Sequence, residues 1–146
     1  MMTITITEYL ANKDAYKDVK ELKITGAAPR DCTELFSELT SCEVLDLSEL
    51  DTSAVENMSY MFNWCFHIEK IDLSKFNTHK VEFMDGMFSE CWDLKEIKGL
   101  ESFDITCLKS AKYMFNDCRS LEDFDASAIE AANINKKHMF RNCNRR

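Results

Sequence analysis

The chain has 146 residues, 45% of them apolar and 30% charged, and a formal net charge of −8. A single domain of this length buries roughly 70% of its unfolded surface, and one proline with three glycines leaves no material for a flexible linker. No apolar run approaches the roughly 18 residues of a membrane span, no basic-then-apolar leader opens the chain, and the acidic balance argues against direct nucleic-acid binding; the expectation is a soluble, cytoplasmic protein.

The whole chain, 1–146, is expected to form one domain, with residues 1–15 as an N-terminal cap and 16–146 as repeats. In the cap, Thr5 and Glu8 have capping-box spacing, which predicts a short extended piece running into a helical turn through Tyr9-Leu10-Ala11. Such a lid would cover the apolar edge of the first repeat.

Beyond the cap a Met-Phe-x-x-Cys pentad returns at Met61-Phe62 to Cys65, Met87-Phe88 to Cys91, Met114-Phe115 to Cys118 and Met139-Phe140 to Cys143, with a degenerate copy from Leu35-Phe36 to Leu39. The phenylalanines at 36, 62, 88, 115 and 140 are 26, 26, 27 and 25 residues apart. A fixed period in this range marks an array of stacked units, each burying its apolar face on its neighbours. Within a unit, Leu45-Asp46-Leu47 and Ile71-Asp72-Leu73 alternate as strands do. The following stretch, Val55 to Met58 to Met61-Phe62 and on to Cys65, spaces its apolar residues by three and four, the signature of a helix or of tight helical turns. An extra residue near Gly99 predicts a bulge, and a shortened first copy runs through Val19, Leu22 and Ile24.

The strings CEVLDLSELDTSAVENMSYMFNWC and IEKIDLSKFNTHKVEFMDGMFSEC resemble the repeat of the BspA-like leucine-rich-repeat proteins, the group that includes the mycoplasma lipoprotein-associated repeats. The resemblance is close over about residues 39–118. It implies an α/β solenoid: a short leucine-rich-repeat array of about five coils, each one short strand plus one short helical segment. It also implies a binding rather than a catalytic role, since members of that group are typically surface proteins used in adhesion and the group offers no catalytic residues.

The residues point the same way. His67, His79 and His138 occupy different repeat offsets, and no phosphate loop, nucleophile triad or metal motif is visible, so neither an enzyme nor a cofactor is expected. Seven cysteines, an odd number, four of them at one repeat position, read as reduced and buried small apolar residues. Zinc is disfavoured because the ligand spacing lacks close pairs.

What remains for binding is the outward face of the strands, where stacking would align Lys23, Asp46, Asp72, Lys98 and Asp125 beside Glu21, Val44, Lys70, Glu96 and Asp123. Between Arg30 and Lys70 lie nine acidic residues and no lysine or arginine, whereas Ala131 to Arg146 carries five basic residues and no acid. The candidate partner-binding residues are therefore Asp46, Asp72, Glu43, Glu49, Asp51 and Glu69, with Trp64, Phe66 and Trp92 flanking the cysteine position as aromatic candidates. The leading expectation is a protein-protein interaction module presenting a rigid acidic strand face to a basic protein partner. A second reading is a phage or mobile-element inhibitor that blocks the nucleic-acid channel of a host defence enzyme; a third is a fragment of a bacterial surface adhesin. No membrane contact is expected, and the sequence is silent on oligomeric state.

Overall fold

The structure is a computed structural model that describes residues 1–144; Arg145 and Arg146, part of the basic tail, lie outside the described residues. Strands β1 (Met2–Thr5), β2 (Glu21–Ala27) and β3 (Val44–Asp51) form one parallel sheet in that order, and β4 (Lys70–Asp72) and β5 (Glu96–Lys98) form a second. Partners are one repeat apart: Leu22 lies against Leu45, and Ile71 against Ile97, all buried. Alternate residues consequently point outward, Lys23 beside Asp46, Lys70 beside Glu96 and Asp72 beside Lys98.

The cap is built as its spacing requires. Helix α1 (Ile6–Ala11) starts at Thr5, whose hydroxyl accepts from the Glu8 N–H at 3.1 Å while the Glu8 carboxylate accepts from the Thr5 N–H at 2.7 Å. Strand β1 leads into it along the edge of β2.

Of the two conformations that the spacing allows, the segment around each Met-Phe pair takes tight turns rather than a continuous helix. Short i to i+3 turns follow one another, as in Met61 N–H to Met58 O at 3.3 Å, Asn63 to Tyr60 at 3.1 Å and Cys65 to Phe62 at 3.2 Å. The intervening amides leave the segment altogether: Met58, Tyr60, Phe62 and Trp64 donate to Phe83, Asp85, Met87 and Ser89 at 2.8, 2.8, 2.9 and 3.0 Å. A helix would keep nearly all of its N–H groups for itself and leave none to join the next unit. Breaking the helix needs a left-handed residue every fourth position, and pairs recur at Glu34 and Glu38, Tyr60 and Trp64, Gly86 and Glu90, Tyr113 and Asp117, His138 and Asn142. Each non-glycine member costs about 1 kcal/mol or more, which the inter-unit bonds offset. Apolar spacing is the same for both conformations, so periodicity alone does not separate them. Among the described residues a second helix, α2 (Ser127–Ala131), occurs in the last unit alone.

The core is a ladder of identical positions. Tyr9 of the cap lies 5.3 Å from Phe36, and the column continues through Phe62, Phe88, Phe115 and Phe140 with centroids 5.3 to 5.9 Å apart. Met58, Met61, Met84 and Met87 are fully buried beside it. The thiols of Cys65, Cys91 and Cys118 each donate to the carbonyl of the column phenylalanine one unit earlier, Phe36, Phe62 and Phe88, at 3.0 to 3.1 Å. The expectation that all cysteines are buried fails at Cys107, which is exposed, and at Cys143, which is half-buried. Phe76 and Phe124 are likewise only partly buried against the core. At the inserted Gly99 the backbone takes φ +94° and opens a 3₁₀ turn over Leu100–Ser102, so the extra residue is absorbed without disturbing Ile97.

Candidate functional site

The outward columns expected from the sequence are built within each sheet, with Lys23 beside Asp46 and with Lys70 and Asp72 beside Glu96 and Lys98. Among the described residues no pairing joins β3 to β4; each is the edge strand of its own sheet. The turn segments of the same two units are bonded through Met58 to Phe83 and its neighbours, Thr52 bonds to Asn77, and β3 and β4 themselves come within 8 Å Cα to Cα. Two adjoining hollows lie over this seam, about 590 and 470 Å³, and both are lined by Val44 and Lys70.

Side-chain charge sets this step apart from its neighbours. The step from β2 to β3 is spanned by Lys20 to Glu43 at 3.6 Å, Lys23 to Asp46 at 3.9 Å and Lys23 to Glu49 at 2.8 Å. The step from β4 to β5 is spanned by Glu69 to Lys95 at 3.0 Å, Lys70 to Glu96 at 3.3 Å and Asp72 to Lys98 at 3.7 Å. Between β3 and β4 the same offsets set Glu43 toward Glu69 and Asp46 toward Asp72, and no ion pair crosses among the described residues. Like charges directly opposite each other oppose strand pairing.

The carboxylates on this seam are held in place. Asp46 accepts from the Ser48 N–H and hydroxyl at 2.9 and 2.7 Å, and Asp72 accepts from the Ser74 N–H and hydroxyl at 2.9 and 2.6 Å, in both cases through Oδ1. These serine bonds hold both carboxyls below their ordinary value, while the charge of Asp72 opposes the shift at Asp46 to a smaller extent. Each Oδ2 keeps only a distant lysine on the side away from the seam, Lys23 at 3.9 Å or Lys98 at 3.7 Å.

Of the expected binding residues, the structure gathers Glu43, Asp46, Glu69 and Asp72 around the hollows. Glu49 is drawn to Lys23 across a register shift between β2 and β3, and Asp51 caps the Ser53 N–H at 2.9 Å at the far end of β3. Among the aromatics, Phe66 stacks on Trp92 at 4.3 Å, and Arg119 covers the same indole at 5.1 Å. Trp64 stands apart from that stack, 44% exposed.

Five contributors were not among the binding candidates named from the sequence. Val44 is 42% exposed at the centre of the seam, and its only sequence signal is an apolar residue in an outward position otherwise held by charges. Ser48 and Ser74 orient the two aspartates. His67 and Asp93, 3.0 Å apart on the rim of the smaller hollow, come from different repeats.

Burial pushes Cys32 up to about 12, Cys42 up to about 11, and Cys65, Cys91 and Cys118 well above the ordinary thiol value, so these are not nucleophiles. Among the described residues no three His, Cys, Asp or Glu side chains converge as a metal site, and no helix is long and apolar enough to cross a membrane.

Parallel strands thus lie one repeat apart, and the Met-Phe turns of neighbouring repeats are joined by backbone hydrogen bonds. The chain belongs to the family described as Mycoplasma protein of unknown function, DUF285, whose match spans residues 30–146. No curated protein and no solved structure matches it.

Proposed function

We propose that this chain is a short BspA-like leucine-rich-repeat solenoid that works as a protein-interaction module, presenting its acidic strand face to a basic protein partner. The repeat offsets and the parallel strands one repeat apart support the solenoid reading. The observation that carries the binding role is the step between β3 and β4, where two adjoining hollows share an exposed Val44, one lined by Glu43 and Glu69 and the other by Asp46 and Asp72. A merely solvated surface would pair its charges across this step as it does across the two neighbouring ones.

The test is capture of basic proteins from a lysate of the native host by the parent and by an Asp46→Lys, Asp72→Lys double variant, both verified as folded by circular dichroism. The parent should retain a partner that the variant loses, and a Glu122→Lys, Glu130→Lys control should retain it. Raising ionic strength should release it, because the Debye length falls from about 10 Å at 0.1 M to about 3 Å at 1 M. Equal capture by the parent and the Asp46, Asp72 variant removes the acidic strand face from consideration and transfers attention to Trp64, Phe66 and Trp92.

A further inference from the structure

We infer that the outer edge of β1 is a pairing surface for a second copy of this chain, the two β1 strands running antiparallel about a two-fold axis at Thr3. The inference is independent of the acidic-face reading and concerns the opposite edge of the same sheet.

The first argument is where the strand edges lie. The cap covers the core, with Tyr9 closing the aromatic column on Phe36, but on the strand side it only moves the open edge from β2 to β1. One edge of β1 is paired with β2 from Met2 to Thr5, and among the described residues no pairing reaches the other. The remaining edges are met within the chain: β3 and β4 come within 8 Å Cα to Cα of each other, and the far side of β5 is bridged to Asp123 at Glu96. A strand edge that ends in solvent offers its N–H and C=O groups to another strand, and proteins commonly blunt such an edge with charge, proline or a bulge. The Met-Thr-Ile-Thr of β1 has none of these, whereas β2, β3, β4 and β5 all carry charged residues.

Residue type then selects the occupant. Because β3, β4 and β5 are met inside the chain, the edge that a second copy can offer is its own β1, so the contact is isologous and closes at two chains. Register with β2 sets Thr3 beside Lys23 on the outward face, and Met2 and Ile4 on the inward face beside the buried Leu22 and Ile24. In antiparallel pairing about Thr3, directly opposite residues share a face, so Thr3 meets Thr3 and Met2 meets Ile4. Threonine pairs stabilise such ladders, and no like charges meet. Met2 is 46% exposed and Ile4 only partly buried in the single chain; pairing covers both with apolar surface. Charge favours the same end. Residues 1–30 hold five basic and four acidic residues, a formal +1, so the rest of the chain carries −9 of the total −8. Two copies that meet at the cap bring together the near-neutral part of each.

The experiment uses the full chain, with mass read by sedimentation equilibrium over a hundred-fold range of concentration. The parent should rise from one chain to two and stop there. Thr3→Glu sets a carboxylate beside Lys23 of its own chain, which the fold accommodates, and opposite a second carboxylate in the pair; it should dimerise at least ten-fold more weakly. Thr3→Lys should also weaken the pair, and an equimolar mixture of the two variants should recover it, since opposite charges then face each other. Circular dichroism checks that both variants are folded. Exchange of the β1 amides that do not face β2 should slow as the parent is concentrated and stay fast in Thr3→Glu. A parent that stays monomeric throughout overturns the inference, and growth beyond two chains overturns the closed two-fold. Dimerisation of Thr3→Glu equal to that of the parent, or a mixture no stronger than its components, removes β1 from the interface. Slow exchange along the outer edge of β1 in a monomer, unchanged by concentration, means that the edge is covered within the chain and overturns it too.

Discussion

Phe62 and Phe88 lie ring on ring, 5.5 Å between centroids and 12° from parallel, one repeat apart in the chain. The same stacking runs from Phe36 to Phe140, and Tyr9 of the cap closes the column at a 48° tilt on Phe36, so the aromatic column sets the register of every unit on the next. Packing of this kind makes stability depend on neighbours: a gap at one position loosens the units on both sides.

Phe88→Ala should therefore cost about 3 to 5 kcal/mol, close to the whole stability of a marginal domain. Urea unfolding should move to a lower midpoint. Amide exchange should accelerate in the Phe62 and Phe115 units alike, whereas Phe88→Leu should lose much less. Exchange that quickens only around residue 88 contradicts a shared column.

Gly99→Ala and Gly86→Ala separate two uses of glycine. Both sit in the left-handed region, at φ +94° and +59°, where a side chain costs roughly 1 to 3 kcal/mol. At Gly99 the new methyl would also run into the Ser74 and Leu73 backbone of the preceding unit, while at Gly86 it would meet the Tyr60 ring, a side chain able to turn aside. Gly99→Ala should be the more destabilising of the two, and Tyr60→Ala should rescue part of the Gly86 loss and none of the Gly99 loss. Thermal melts of the parent, the three single variants and the two double variants test the ranking.

Much of this was legible in the chain, because period, inward residues and strand alternation are all written as residue type at fixed offset. Met58, Met61, Phe62 and Cys65 were placed in the core from their recurrence and are buried there. The conformation of the Met-Phe segment was not legible, since a spacing of three and four fits consecutive turns as well as a helix; the left-handed Tyr60 and Trp64 carry no reliable signal in their residue types. Nor was the seam. Asp46 and Asp72 could be aligned from the register, but whether like charges open a ladder depends on where Lys23 and Lys98 reach, which is a property of the folded neighbours.

The thiols give a test with a definite sign. Burial raises the thiol values of Cys32, Cys42, Cys65, Cys91 and Cys118 in the folded chain, so between the unfolded value of about 8.5 and the raised folded values the unfolded state binds fewer protons. Stability should then be full below about pH 8.5 and fall as pH rises above it. In native protein near pH 8 a thiol reagent should label Cys107 readily and these five only after denaturation. Rapid native labelling of Cys65 or Cys91, or stability that rises with alkaline pH, contradicts the buried-thiol assignment.

Thr52 and Thr78 give the last prediction, because each joins two units through a single hydroxyl. Thr52 Oγ1 donates to the Asn77 carbonyl at 3.1 Å and accepts from the Asn77 N–H at 2.8 Å; Thr78 does the same with Asp104, at 3.1 and 2.8 Å. Both threonines are almost fully buried, so water is poorly placed to substitute. Valine has nearly the same shape, and Thr52→Val leaves no cavity; what it removes is the partner of a backbone N–H and C=O. The expected loss is roughly 1 to 3 kcal/mol per site, with Thr52→Ser close to the parent because it keeps the hydroxyl. The two threonines bond to different backbone groups, so the Thr52→Val, Thr78→Val double variant should lose the sum of the single losses to within about 0.5 kcal/mol. Exchange of the Asn77 amide should quicken in Thr52→Val, and that of Asp104 in Thr78→Val. If Thr52→Val unfolds at the parent's urea midpoint, the hydroxyl does not link the units, and their cohesion at this level rests on the aromatic column and the turn ladder alone.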